Sequence, residues 1–161
     1  MAYATAWAEK CCTSFWQVQD ERSIMFFMDS SQLGHFGEEL ASQYLECVKG
    51  WRIIGKRVRF YRGEIDLIAE DFGEGLGGQV ELRFVEVKCR RSTKFGGVVE
   101  GLTAQKLTRI WRAICEWRKT SGDFRSGKVW FVGVSLRSTS DVAGGYGLDH
   151  GTTEIEEWEV G

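Results

Sequence analysis

The chain predicts an α/β or α+β domain ordered helix, three strands, helix, strand, on three observations. Residues 31–48 and 103–121 carry apolar side chains at the 3–4 spacing of a buried helical face. Extended apolar runs at 51–60, 63–70 and 80–89 lie between them, and a further run, 129–136, follows. At 161 residues, 43% hydrophobic and 27% charged, the chain is long enough for one domain with a true core.

In the first helix Ser30 or Ser31 serves as cap, and Phe36, Leu40, Ala41, Tyr44, Leu45 and Val48 form the buried face up to a stop at Gly50. The first strand bends at Gly55. Glycines between residues 73 and 78 link the second strand to the third. They do not make a phosphate loop, because no Gly-Lys-Ser/Thr follows and the next element is a strand. Thr103 opens the second helix, whose apolar residues are Leu107, Ile110, Trp111, Ile114 and Cys115, and Gly122 lies beyond its end. Val129 to Leu136 is the strongest apolar run and is expected in the middle of the sheet. Residues 141–149 read as a loop, and 152–160 as an edge strand or a short helix. Residues 1–30, with a short helix around 3–19, form a poorly specified extension ahead of a domain at 31–161. Proline is absent, so the 20 glycines supply most of the turns.

Several classes are excluded. Ile24 to Met28 is too short to cross a bilayer, and Glu9 and Lys10 interrupt any signal-like segment, so a cytoplasmic protein with no membrane partner is expected. The cysteines at 11, 12, 47, 89 and 115 form no CxxC pair, and His35 and His150 are the only histidines. Neither a structural zinc site nor a disulfide framework fits that set. Cys47 and Cys115 fall on helical stripes and are expected as small core residues. The net charge of -2 conceals segregation: residues 49–128 hold 18 Lys/Arg against 10 Asp/Glu, between two acidic ends. A basic middle suits a polyanion; solvation of helix and strand faces is the alternative.

The chemistry centres on two strand segments, Gly63-Glu64-Ile65-Asp66-Leu67-Ile68 and Glu86-Val87-Lys88. Charges inside apolar strands are costly unless they pair or hold a metal. Alternation puts Glu64 with Asp66, and Glu86 with Lys88, on common faces. If the strands pair, Asp66 and Glu86 meet across the ladder and, with the Val87 carbonyl, can hold Mg²⁺ or Mn²⁺. Lys88 is placed to orient a water, which implies metal-dependent phosphodiester hydrolysis. The alternative is an ion-pair ladder of Glu86 with Lys88 or Arg90, and Asp66 with Arg59. Arg90, Arg91 and Lys94 form a basic turn fit for a phosphate backbone; Arg59 belongs to a second cluster, and Lys106 and Arg109 to a third. Phe60 and Tyr61 either stack on bases or pack.

Residues 33–136 resemble the UPF0102 (YraN-like) family of the restriction-endonuclease-like PD-(D/E)XK nuclease superfamily. Carrying the resemblance are Gly37-Glu38-Glu39-Leu40-Ala41, Gly63 to Ile68 and Phe84-Val85-Glu86-Val87-Lys88. Arg90, Phe95-Gly96, Glu100, Thr103 and Lys106 continue it in order. The resemblance implies a central mixed four-stranded sheet flanked by helices, order αβββαβ, with Asp66, Glu86 and Lys88 as core site residues. It also implies that Glu38 is a helical glutamate reaching a metal-bound water; from the sequence alone Glu38 reads as a solvent-facing charge. Departures from the family are Arg57 where an asparagine is common, Val98 near a usual proline, and Lys128-Val129-Trp130-Phe131 in place of an Arg-Phe-Asp-like approach.

Two functions follow as expectations. One is a metal-dependent DNA endonuclease or nuclease-like DNA-processing protein, with branched DNA as a candidate substrate. The other is a non-catalytic module binding nucleic acid or protein, with Trp7, Trp16 and Phe26 in a partner interface or a homodimer.

Overall fold

The computed structural model describes residues 28–73, 78–91, 102–137 and 152–160. The expected helix at 3–19, the interface residues Trp7, Trp16 and Phe26, the basic Lys94 and the loop at 141–149 lie outside the described residues. Two helices, α1 (Ser30–Cys47) and α2 (Ala104–Ser121), accompany strands β1 (Arg52–Phe60), β2 (Gly63–Asp71), β3 (Glu81–Arg90), β4 (Gly127–Arg137) and β5 (Thr152–Val160). They form one mixed sheet in the order β1-β2-β3-β4-β5, with only β3 and β4 parallel. That parallel pair needs a crossover, which α2 provides. The sheet therefore has five strands rather than four. Residues 152–160 pair along β4 from Val129 to Arg137, which makes them the strand of the two expected alternatives and leaves β4 interior.

Asp29, not Ser30 or Ser31, caps α1. Its carboxylate accepts from the Gln32 N–H at 2.8 Å, while the Gln32 side chain accepts from the Asp29 N–H at 2.9 Å, a reciprocal capping box. Leu40, Ala41 and Leu45 of α1 pack on Leu67, Ala69, Val85, Val87, Val132 and Val134. On the opposite face Ile110, Ala113 and Ile114 of α2 cover Ile65, Ile68, Leu82, Phe84 and Val129. Each fully buried Leu or Ile stabilises by roughly 1.5–3 kcal/mol.

The buried face of α2 is rotated from the expected one. Trp111 is 46% exposed and Cys115 lies at the surface, while Ala113 is buried and Trp117 packs edge-on against Phe84, 5.5 Å between ring centres. Val48 and Cys47 are likewise exposed, at the end of α1, where Leu45 is the last fully buried residue. Neither Cys47 nor Cys115 is a core residue.

Two glycines set the layer spacing. A Cβ on Gly37 would stand 2.3 Å from the Cys89 Cβ, so this glycine lets α1 sit down on β3. A Cβ on Gly63 would meet the Arg109 carbonyl oxygen at 2.5 Å, so α2 approaches the start of β2 just as closely. Together they let α1 seat on β3 and α2 on the start of β2.

Candidate metal and nucleic-acid site

The sheet opens at Asp66. Pairing between β2 and β3 ends at Leu67–Val85, one step short of where Asp66 and Glu86 would face each other. On the other side, Arg57 stands opposite Asp66 between the pairs Lys56–Leu67 and Val58–Ile65. The simple alternation expected for β2 fails here: Leu67 joins the α1 core and Ile65 the α2 core, so the strand turns over between them. Beyond the split the Val87 N–H has lost its strand partner, and the Asp66 Oδ2 accepts it at 2.8 Å instead.

Groups from four elements converge on this notch. Asp66 and Glu86 are 7% and 4% exposed and lie close enough for each to shift the titration of the other. Burial pushes the Glu86 carboxyl up to about 8, with the Asp66 charge as the second cause. Asp66 is raised as well, first by burial, although the Val87 N–H and the Lys106 charge oppose the rise. Glu38 reaches the notch from α1. Burial, then the charges of Asp66 and Glu64, push it up to about 7. The Arg57 guanidinium lies 2.5 Å from the same carboxylate and favours its ionised form. Lys106 arrives from the first turn of α2 and pairs with Glu86. Its backbone is fixed there because its N–H caps onto the Thr103 hydroxyl at 3.2 Å.

The ion-pair ladder weighed as the alternative does not form. Arg59 goes to Glu64 at 3.0 Å, and the partner of Glu86 is Lys106 rather than Lys88 or Arg90. Lys88 is half-buried one strand position from Cys89. Arg91 donates to the Met28 carbonyl at the entry to α1, so it also has a structural task.

Arg57 was not singled out as a site residue. Its φ of 53° lies in the left-handed region, a cost of about 1 kcal/mol for a residue with a side chain. Asparagine, which the family resemblance places near this position, tolerates that region better than most residues. Here the arginine uses the same backbone turn to hold Glu38 and to contact the His35 ring at 2.9 Å. The sequence signal that could have found it was the departure from asparagine itself.

Beside the notch runs an open groove of ≈ 700 Å³ between the β1–β2 turn and the start of α2. Glu86 forms part of its floor, and Arg59, Arg62, Lys106 and Arg109 supply positive charge along its walls. Tyr61 at the turn is 98% exposed and touches the groove. Among the described residues no set of three or more His, Cys, Asp or Glu side chains forms a ready-made ligand shell. The donor set nevertheless fits a hard divalent ion: two adjacent buried carboxylates, both raised by burial and Glu86 further by the Asp66 charge, are what a cation would relieve. Mg²⁺ commonly takes one or two protein carboxylates and completes its shell with water and phosphate.

The charged residues at the other end of the sheet make a contrast, because they are matched. Glu70 accepts from Arg52 at 2.7 Å and pairs with Arg125 at 2.8 Å, and Arg83 is held by Asp71 and Glu81 at 2.6 and 2.7 Å. Burial raises the Glu70 carboxyl, but the bonds from Arg125 and Arg52 outweigh it, and the net shift is downward from 4.5. A lowered folded value means that Glu70 stabilises fully above 4.5 and loses this contribution as pH falls toward the folded value. Glu70→Gln is therefore expected to melt lower than wild type at neutral pH. Thermal melts between about pH 3 and 7 should show the gap closing at the acid end; a constant gap would contradict the assignment.

A central mixed sheet with a helix on each face matches the restriction-endonuclease-like topology of α/β folds. Within that class the chain belongs to the family described as "Uncharacterised protein family UPF0102", which it matches over residues 37–131. A UPF0102 protein of Corynebacterium efficiens is 40% identical over 123 residues, covering 76% of this chain and 90% of that protein. One from Symbiobacterium thermophilum is 45% identical over 83 residues, covering 52% of this chain and 64% of the relative. One from Leifsonia xyli is 38% identical over 91 residues, 56% of this chain and 70% of its own length. Among the described residues, no helix is long and apolar enough to cross a membrane.

Proposed function

We propose that this chain is a divalent-cation-dependent nuclease that hydrolyses phosphodiester bonds in DNA. The observation that carries the reading is the pairing of Asp66 with Glu86 in the split between β2 and β3, with a basic groove leading to it. Asp66, Glu86 and the Val87 backbone would hold the cation; Mg²⁺ suits the all-oxygen set, with Mn²⁺ as a substitute. Once bound, the ion supplies a more acidic water and polarises the phosphoryl oxygen.

The rest of the chemistry belongs to the chain. Glu38, held near neutrality by its buried setting, takes a proton from a water at the notch. Lys88 follows Glu86 on the same strand and orients that water or the scissile phosphate. Arg59, Arg62 and Arg109 hold the backbone through its phosphates, which favours shape and charge over base sequence. Tyr61 offers a stacking face to an unpaired base at the turn.

A second reading, a binding module without turnover, draws on one observation: Lys106 already neutralises Glu86. Purified chain incubated with labelled duplex, flap and four-way DNA in Mg²⁺, Mn²⁺ or EDTA separates the two. Nuclease action requires metal-dependent cutting that disappears in folded Glu86→Gln. Lys88→Ala should cut poorly while binding nearly as well. Binding that is indifferent to metal and to Glu86→Gln, with no product, would leave only the module.

A further inference from the structure

We infer that Lys106 is a coupling residue: it holds Glu86 in the metal-free protein, leaves it when the cation enters, and then binds a phosphate of the nucleic acid. The inference rests on the nuclease reading and adds to it a linkage between ion and substrate. Two observations carry it. Lys106 is ion-paired with a carboxylate at the centre of the proposed cation site, and it also lines the basic groove with Arg59, Arg62 and Arg109.

The exposures make the exchange physically simple. The Glu86 side chain is 5% exposed and fixed in its strand, whereas that of Lys106 is 37% exposed on a flexible stem. Only the lysine can move without disturbing the core. A divalent ion places two positive charges beside Glu86, where Lys106 already places one. The ammonium is then displaced into a groove whose other cations are arginines. A phosphate in the groove favours the displaced position, so the polyanion also clears Glu86 for the cation. Linkage requires the two effects to be equal. Lys106 acts through Glu86 on the metal and is, in that sense, a positioning residue.

Amine-reactive footprinting of the full chain, read by mass spectrometry, tests this. In EDTA the Lys106 amine should react slowly. Saturating Ca²⁺, with uptake checked by calorimetry, should raise its rate about tenfold. Adding a short duplex oligonucleotide in Ca²⁺ should protect it again. In Glu86→Gln it should react quickly in EDTA already. Ca²⁺ should also tighten oligonucleotide binding about tenfold in wild type and much less in Lys106→Met. An amine whose reactivity does not change at saturating Ca²⁺ would overturn the coupling and leave the nuclease reading intact. A wild-type chain that takes up no divalent ion, with or without oligonucleotide, would overturn both.

Discussion

Asp66→Asn is expected to cut metal-dependent cleavage by about a thousandfold, some 4 kcal/mol of transition-state stabilisation, without lowering the melting temperature in EDTA. The two halves of this result have separate causes. Asparagine removes the negative charge that would help hold the cation, but its carbonyl oxygen still accepts the Val87 N–H in the split ladder. It also removes a buried charge that raises Glu86, so the metal-free protein is relieved of a repulsion. Asp66→Ala loses the same activity but leaves the Val87 N–H without an acceptor, at a cost of roughly 1–3 kcal/mol. Kinetics in Mg²⁺ and melts in EDTA on both variants therefore separate the two tasks of one side chain. An Asn variant that melts as low as the Ala variant would show that the charge, not the hydrogen bond, holds the notch together.

The second large effect is structural. Gly37→Ala should destabilise the chain by about 2–3 kcal/mol, although alanine favours a helix by ~1 kcal/mol over glycine. The new Cβ would lie 2.3 Å from that of Cys89, a strand atom that cannot rotate away, so α1 must lift off β3. Glu38 is the next residue, and its approach to Asp66 would go with the lifted turn. Adding Cys89→Gly removes the opposing atom. Denaturant titration should then show the double variant losing less than the sum of the single ones. Full additivity would mean that the close contact does not govern how α1 seats.

Most of the frame was legible in the sequence because it depends on local patterns. The strands carrying Asp66 and Glu86 show apolar runs, and Thr103 and Gly122 mark the ends of α2, where the helix is found to be capped. What escaped depends on tertiary contact. The buried face of α2 is centred on Ile110, Ala113 and Ile114, and a small alanine drew less attention than Trp111. Four glutamates in β5 blurred its alternation, and only the ladder with β4 makes it a strand. Asp66 and Glu86 were expected to meet as ordinary cross-strand neighbours. The end of β2–β3 pairing at Leu67 and the left-handed turn at Arg57 are set by tertiary structure, and no local pattern signals either. Lys106 could be placed on a helix from sequence, but not against Glu86.

The arrangement of the sheet gives the molecule an electrical front and back. One outer strand, β1, carries Arg52, Lys56, Arg57 and Arg59, and the other, β5, carries Glu154, Glu156, Glu157 and Glu159. On the nuclease reading proposed above, a polyanion would meet more repulsion at the β5 margin than at the β1 margin, whose cations are each ion-paired to a carboxylate. The acidic margin also discourages copies of the chain from adding strand to strand along that side.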